Sequence, residues 1–488
     1  MKKELILDSG PQETRAALLE DGHLAELFIE RCDRPALLGN VYLGRVSNVL
    51  PGMQSAFVDI GLDRDAFLYV TDLLPSSHLE EGAIPEDGAG LSIEALLRTG
   101  QNLLVQVVKE PLGGKGPRVT TQVSFPGRSL VYLPAGTERL VSRRIEPEEE
   151  RERLRLLAEA IPGEGGFIVR TAASGSAARV LQEEAEALRR RWSRVRETME
   201  GATAPACLHW EECLAVRILR DLFTEEIDRV VVDDEQALER CREYAQTMAP
   251  LLAPRLERHY GREPVFDALG IEKEIQKALR RRVWLPSGGY LVIQATEALV
   301  AIDVNTGKFV GGKGFEETAF LTNLEAAGEI VRQIRLRDLG GILVIDFIDM
   351  PSQENRQKLF ATLEQALRSD RARSRVLQIS EFGLVEITRQ RIRLGLENFL
   401  CGPCTTCRGT GRLKSPETLR FEIQRELRKV AALSPEGPLR VRVHPEVAVV
   451  IRENWTAFVE AIGKQEKPEV LLEPVPGMHP EQYEVLAF

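Results

Sequence analysis

Ala-Leu-Val-Ala-Ile-Asp-Val-Asn-Thr-Gly (298–307) and Gly-Ile-Leu-Val-Ile-Asp-Phe (341–347) each carry a branched apolar run that closes on an aspartate. Runs rich in Val and Ile read as buried strands. An ionised carboxylate at the end of such a strand loses hydration unless a cation, a donor or water meets it. Asp303 and Asp346, with Asn305 two residues beyond the first, point to a small oxygen-ligand site for a hard divalent ion. Mg2+ suits few carboxylates together with retained waters and a substrate phosphate. The pattern reads as a metal-dependent phosphodiesterase.

The sequence between them brings the two aspartates together. Tyr290–Gln294 and Ala298–Val304 are apolar strands joined by a short turn, which predicts a hairpin. From Glu317 to Asp338 the residues Phe320, Leu324, Ala327, Val331 and Ile334 recur at helical spacing. Gly340-Gly341 ends that helix and the Asp346 strand follows. Strand, crossover helix, strand predicts a parallel neighbour, with both carboxyl ends at one edge of the sheet. Open α/β sheets bind ligands at that edge. A lone aspartate there would read as a turn residue; the pair, in this order and with Asn305, favours the metal site.

At 488 residues the chain is expected to form several domains, and 43% hydrophobic content supplies ordinary cores. A net charge of −10 argues against coating nucleic acid by bulk charge but leaves room for local basic patches. Seven cysteines, with Cys401, Cys404 and Cys407 clustered and the rest scattered, fit a reducing cytoplasm. No apolar run approaches a membrane span and the N-terminus lacks a cleaved-signal pattern. The expectation is a cytoplasmic protein with no membrane partner.

Residues 1–35 alternate as a small β meander would. Residues 36–122 give about five strands, the number in an OB-fold barrel, interrupted by an acidic Gly/Pro-containing loop at 76–91. Phe57 and Phe67 fall in consecutive strands, side by side on one face. Such a face stacks single-stranded bases, although isolated phenylalanines are more often core; both readings stay open. Lys115, in Gly-Gly-Lys-Gly-Pro, adds a candidate phosphate contact. Residues 123–214 contain a strand at 166–171 and a charged helix from about Ser176 to Glu200. Arg170 and Thr171, at that strand's end, offer a guanidinium fork and a hydroxyl for an anion, or only a solvated strand end. Residues 215–280 mix helix and strand. Arg280-Arg281-Arg282 and Arg371-Ala-Arg373-Ser-Arg375 read either as phosphate-facing patches for RNA or as surface charge.

Cys404-Thr-Thr-Cys407-Arg-Gly-Thr-Gly lets two thiolates face one ion, and its glycines permit the tight turn of a zinc knuckle. Structural zinc takes four ligands. Either an unseen ligand completes the set, or two copies of the chain each donate Cys404 and Cys407, giving a symmetric dimer. The six histidines are distant in sequence, and the redox alternative lacks a thioredoxin-like βα context around the motif. No Gly-x-Ser-x-Gly or phosphate-binding P-loop is present. Metal-assisted attack of water on a phosphodiester is what remains.

Together Ala-Ile-Asp303-Val-Asn305-Thr-Gly, Ile-Asp346-Phe, Phe382-Gly-Leu-Val-Glu-Ile-Thr-Arg-Gln-Arg and Cys404-Thr-Thr-Cys407-Arg-Gly-Thr-Gly closely resemble the bacterial ribonuclease E/G family, in order and over essentially the whole chain. The length resembles the shorter members, without a degradosome scaffold tail. The resemblance implies an endoribonuclease that cuts single-stranded A/U-rich RNA, leaves a 5′-phosphate and a 3′-hydroxyl, and prefers 5′-monophosphorylated substrates. It also implies work in ribosomal RNA 5′ maturation and messenger decay. By that resemblance Asp303 and Asp346 are Mg2+ ligands, and Asn305 positions the attacked phosphate. Phe57, Phe67 and Lys115 contact RNA, and Arg170 and Thr171 grip the 5′-monophosphate. Cys404 and Cys407 form a Zn2+ link shared by a homodimer, itself able to form a tetramer, with Cys401 not a ligand. The implied architecture is multidomain α/β. A ribonuclease-H-like subdomain (1–35 and 215–280) is split by an OB-fold RNA-binding domain (36–122) and a 5′-sensor domain (123–214). A DNase-I-like catalytic subdomain (281–400), a zinc link (401–413) and a small C-terminal domain (414–488) follow. A non-catalytic RNA-binding protein and a DNA-directed nuclease are the rival readings.

Overall fold

β1 (Lys3–Ser9), β2 (Glu13–Glu20) and β3 (His23–Arg31) form an antiparallel meander. The alternation expected over residues 1–35 gives way to contiguous buried runs such as Leu5-Ile6-Leu7 and Ala16–Leu19, so these strands are covered on both faces. The computed structural model describes residues 1–32, 36–73, 92–111, 115–308, 314–377, 384–391, 393–433, 438–460 and 469–487. They fall into two compact units, Met1–Phe399 and Leu400–Phe488.

In the first unit, β4 (Val41–Leu50), β5 (Ser55–Asp59), β6 (Ala66–Tyr69), β7 (Asn102–Lys109) and β8 (Arg118–Thr120) run in the order β4-β5-β6-β8-β7. Because β7 pairs back with β4, the sheet closes into a five-stranded, OB-like barrel. Its interior is filled by Val46, Ala56, Val58, Leu68, Val105 and Val119, all buried. The expected loop at 76–91 lies outside the described residues. A second sheet follows, of β9 (Phe125–Pro126), β10 (Leu130–Leu133), β11 (Arg139–Val141) and β12 (Gly166–Val169), in the order β11-β12-β10-β9. The helices Glu148–Glu159 and Ala178–Glu200 contribute buried residues to its core. Next, β13 (Ala206–His209) pairs with β4, tying this segment to the barrel.

The chain then returns to its beginning. β14 (Arg229–Val232) lies parallel to β1, and β15 (Leu256–Arg258) parallel to β14, so residues 3–31 and 229–258 share one sheet, β15-β14-β1-β2-β3. Leu5 and Leu7 pack there with Leu219, Val230 and Leu238 in one core. Local periodicity cannot reveal such a junction, because its two halves are separated by the barrel and the second sheet.

The sheet bearing the aspartates comprises β16 (Arg282–Trp284), β17 (Tyr290–Ala295), β18 (Leu299–Asn305), β19 (Gly341–Asp346), β20 (Ser374–Val376) and β21 (Leu384–Arg389). Its order is β16-β17-β18-β19-β21-β20. Alternate residues, among them Ile293, Ile302, Leu343, Ile345 and Ile387, are buried in one core with the helices Phe315–Leu336 and Gln353–Leu367. Each such side chain adds about 1.5–3 kcal/mol through burial. On the first helix Ala327, Val331 and Ile334 are buried, whereas Phe320 and Leu324 are only partly so. The deepest positions include Ala319 and Ala326, because small side chains let a helix lie close on a sheet.

The second unit holds β22 (Leu439–Val443), β23 (Val470–Pro474) and β24 (Tyr483–Ala487), in the order β23-β22-β24. Leu419, Ile423 and Leu427 of the helix Pro416–Leu433 share its core with Val441 and Ile451. Among the described residues no helix is long and apolar enough to cross a membrane.

A buried ion-pair cluster fastens the aspartate sheet to its helices. Arg389, at the end of β21, donates to Asp370 at 2.6 Å and to Asp338 at 2.7 Å. Burial alone would raise the Asp370 carboxyl, but the Arg389 guanidinium outweighs it and holds the group below its ordinary pKa. The stability this adds is present above the ordinary carboxylate range and is lost as pH falls towards the depressed folded value. Replacing Asp370 by Asn leaves a buried guanidinium short of one partner, at a cost of about 3 kcal/mol or more at neutral pH. Denaturant titration should show that deficit at pH 7 and a smaller one near pH 3; an equal deficit at both would refute the assignment.

Candidate active site

β18 and β19 run parallel in a register that pairs Asp303 with Asp346. Paired residues on neighbouring strands project to the same face. Both aspartates are exposed, while their neighbours Ile302, Val304, Ile345 and Phe347 are buried. The two carboxylates therefore lie side by side on the face of the sheet opposite the helices. Asn305 donates from its side-chain amide to Asp303 at 2.7 Å, which orients that carboxylate and leaves the amide oxygen available as an acceptor. Desolvation, then Asp303, then Asp349 push the Asp346 carboxyl above its ordinary pKa. Crowded negative charge of this kind is the donor chemistry a divalent cation relieves, and two carboxylates plus an amide oxygen fit a hard, water-retaining ion such as Mg2+.

Asp349 and Asn323 were not singled out from sequence. Asn323 is fully buried on the helix Phe315–Leu336. Its amide donates to the Ile348 carbonyl at 2.8 Å and its oxygen accepts the Ile348 N–H at 3.1 Å. That pair of bonds fixes the chain two residues beyond Asp346. An Asn among apolar positions of a helix was the available signal, since such a residue needs partners.

On the barrel, Phe57 and Phe67 are cross-strand partners with ring centroids 5.7 Å apart. Neither is buried, so the rings are outside the barrel core. Two further residues extend the strip. Tyr69 lies 4.6 Å from Phe67, and the Arg118 guanidinium sits 4.9 Å over the Tyr69 ring. Lys115 is exposed at the start of the segment that runs beside Phe67, whose N–H donates to the Pro117 carbonyl at 2.7 Å. A side chain at Gly116 would meet the Asp65 carbonyl at 1.9 Å, so only glycine lets this segment approach the barrel.

Arg170 and Thr171 line a cavity of about 700 Å3 between β3, the barrel and the helix Leu214–Leu222. Arg170 donates to the Gly127 carbonyl at 2.5 Å and to Asp221 at 2.8 Å. Arg220 grips the other Asp221 oxygen at 2.9 Å and reaches Glu211 at 2.9 Å. Burial would raise the Asp221 carboxyl, but the two guanidinium groups hold it below its ordinary value. The fork is thus pre-positioned by a carboxylate. Arg373 is not beside the aspartates: Ser374 pairs with Arg389, which pairs with Gly341 at the far end of β19. It lines, with Lys109, Arg144 and Arg391, a second opening of about 410 Å3. Arg144 and Arg371 border both cavities. Residues Phe382 and Gly383 of the quoted motif lie outside the described residues.

In the second unit, Cys404 and Cys407 sit on a tight turn in which Arg408 N–H donates to the Cys404 carbonyl at 2.7 Å. Arg408, Gly409 and Gly411 all have positive φ, which the Gly residues accept at little cost. Backbone N–H groups of Cys407 and Thr406 lower the Cys404 thiol pKa, as a metal-ligating thiolate requires. Sequence distance misled for one histidine. His479 bonds the Thr406 carbonyl at 2.6 Å through Nε2 and accepts the Glu481 N–H at 3.1 Å through Nδ1. Both ring nitrogens are engaged, so His479 braces the turn rather than completing a ligand set. Among the described residues, no three His, Cys, Asp or Glu side chains cluster as a metal site.

Comparison with known proteins places these features in context. A family model described as the ribonuclease E/G family matches residues 124–392, and one described as the RNase E/G thioredoxin-like domain matches 403–488. The second match corrects the expectation that no thioredoxin-like context is present. The Cys404–Cys407 turn nevertheless precedes the helix Pro416–Leu433 and follows no strand within that unit. Ribonuclease G of Escherichia coli K12 is 44% identical over 100% of both chains. Ribonuclease G of Haemophilus influenzae is 44% identical over 91% of each chain. Ribonuclease E of Nostoc is 38% identical over 94% of this chain and 66% of its own.

Asn323→Ala leaves the Ile348 N–H and carbonyl without partners and should cost about 1–3 kcal/mol. It should also lower the cleavage rate per folded molecule, because the Asp346 strand end loses its anchor. Denaturation and RNA cleavage measured on one preparation check this; unchanged cleavage at reduced stability would contradict the positioning role.

Proposed function

The chain belongs to the ribonuclease E/G family and is an endoribonuclease, and from that premise we propose that Asp303 and Asp346 form its cleavage site. In this reading they hold Mg2+ and the enzyme cuts single-stranded, A/U-rich RNA, leaving a 5′-phosphate and a 3′-hydroxyl. The observation that carries the proposal is the in-register pairing of Asp303 with Asp346 on an exposed sheet face. When bound, Mg2+ supplies an activated water and neutralises charge that builds on the phosphorus oxygens. The chain's own residues do the rest. Asn305 orients Asp303 with one amide N–H and offers the other to an oxygen of the attacked phosphate. The helix Phe315–Leu336, through Asn323, keeps the Asp346 turn in place.

The other modules supply binding. Phe57, Phe67 and Lys115 hold unpaired bases and phosphate on the barrel, where stacking tolerates any sequence. Arg170 and Thr171 receive a 5′-monophosphate in the 700 Å3 cavity, with Arg373 at its neighbouring rim. The Asp221 ion pair keeps the Arg170 fork ordered and limits its charge, which favours a compact monophosphate. Cys404 and Cys407, with the same pair from a second copy, make a closed Zn2+ site and a homodimer able to assemble further. Residues 1–35 and 215–280 form a ribonuclease-H-like support, residues 281–400 a DNase-I-like catalytic subdomain, and residues 401–413 the zinc link. Substrates in the cytoplasm are ribosomal RNA precursors and messenger RNA at the start of decay.

One experiment tests site and sensor together: cleavage of matched oligoribonucleotides with 5′-monophosphate, 5′-triphosphate or 5′-hydroxyl ends. The unmodified chain should cut the monophosphate fastest and only with a divalent ion. Asp303→Asn and Asp346→Asn should each lose about a thousandfold or more in rate while still binding RNA, since several kcal/mol of transition-state stabilisation is removed. Arg170→Ala should equalise the three ends without abolishing cleavage. Cleavage retained by both Asn variants would overturn the site, and end preference retained by Arg170→Ala would overturn the sensor.

A further inference from the structure

The open face of the aspartate sheet carries an aromatic cluster that the assigned roles leave unused. Register places Arg282, Val292, Asp303 and Asp346 in one row across β16, β17, β18 and β19. Trp284, Tyr290 and Asn305 form the adjacent row. Both rows project to the same face, because cross-strand partners share a side of the pleat. With strands about 4.8 Å apart and a rise of about 3.3 Å per residue, Tyr290 lies about 8 Å and Trp284 about 12 Å from Asp303, Cα to Cα.

Trp284 is 58% exposed although burying an indole is among the larger gains a side chain can make. Its ring stands 5.3 Å from that of Tyr290 at an interplanar angle of 60°. The Arg282 guanidinium lies 4.5 Å over the Tyr290 centroid and 5.7 Å from the Trp284 centroid. A cation over both rings fixes their arrangement and brings positive charge to their edge. Of the Arg280-Arg281-Arg282 run, Arg282 is the one in the row of the carboxylates.

We propose that Trp284 and Tyr290, framed by Arg282, form a base-stacking platform that holds an unpaired nucleobase of the RNA strand next to the scissile phosphate. This inference rests on Asp303 and Asp346 being the cleavage site. The occupant is an unpaired base rather than a protein side chain because a phosphodiester seated at Asp303 and Asp346 carries its neighbouring bases over this part of the sheet. An indole face accepts any base, and the guanidinium meets the adjoining phosphate. The platform is separate from the barrel strip of Phe57, Phe67 and Tyr69, which belongs to another sheet. It acts at the cut itself.

The test measures binding of a single-stranded oligoribonucleotide, without added divalent ion, to the unmodified chain, Trp284→Leu and Trp284→Phe. A series of oligonucleotides with one abasic residue at each position accompanies it. Trp284→Leu should bind the intact strand about tenfold more weakly, and Trp284→Phe should recover most of the loss. One abasic position, at or next to the mapped cleavage site, should weaken binding to the unmodified chain and make no further difference to Trp284→Leu. A uniform loss at every position, or none, overturns the platform. Cleavage by Asp303→Asn is scored separately. If that variant still cuts while the abasic coupling holds, the site reading fails and the stacking stands. If it is dead and no coupling is found, the platform alone fails.

Discussion

Two like charges are held next to each other by a parallel pair of strands, and the rest of the first unit is organised around that constraint. A one-residue slip of β19 against β18 would turn Asp346 into the apolar core and expose Ile345. The core side chains on the opposite face make that slip expensive, so hydrophobic burial enforces an arrangement that electrostatics alone would oppose. Asn323 clamps the strand end, and Arg389 ties the sheet to the segments after both helices through Asp338 and Asp370. Stability is in this sense invested in keeping the carboxylates close.

The binding elements are built on different scaffolds with different chemistry. The barrel offers half-buried rings at Phe57 and Phe67, an exposed one at Tyr69 and a cation over the last, which suits bases without sequence preference. The cavity around Arg170 offers a fork already braced by Asp221 and bordered by Arg144 and Arg371, which suits a compact anion. The sheet face offers carboxylates. A single-stranded polymer that touches all three is selected by its chemistry at several points, and no one of them needs great affinity.

Much of this was legible in the sequence, for physical reasons that vary by element. The aspartate strands could be read because each is a short run rich in Val, Ile and Leu, and because a carboxylate closing such a run is costly without a partner. The parallel crossover followed from the helix between them. Phe57 and Phe67 could be placed side by side from strand order, but whether they faced in or out could not, since a barrel wall has two faces and phenylalanine suits either. The joining of residues 3–31 to 229–258 in one sheet was reached only through family resemblance. Nothing local encodes a contact made across more than two hundred residues, here Leu5 with Val230. Asn323, Asp221 and His479 escaped notice because their work is to hold other groups, and that role appears only once partners are known.

The most direct test is to let the bound ion report its own position. With Fe2+ in place of Mg2+, ascorbate and peroxide generate hydroxyl radicals that cut the polypeptide beside the metal. An ion shared by Asp303 and Asp346 gives fragments ending near both residue 303 and residue 346, and both are lost together in Asp346→Asn. Cuts near only one of them, or cuts elsewhere that Asp346→Asn leaves unchanged, would contradict a shared ion.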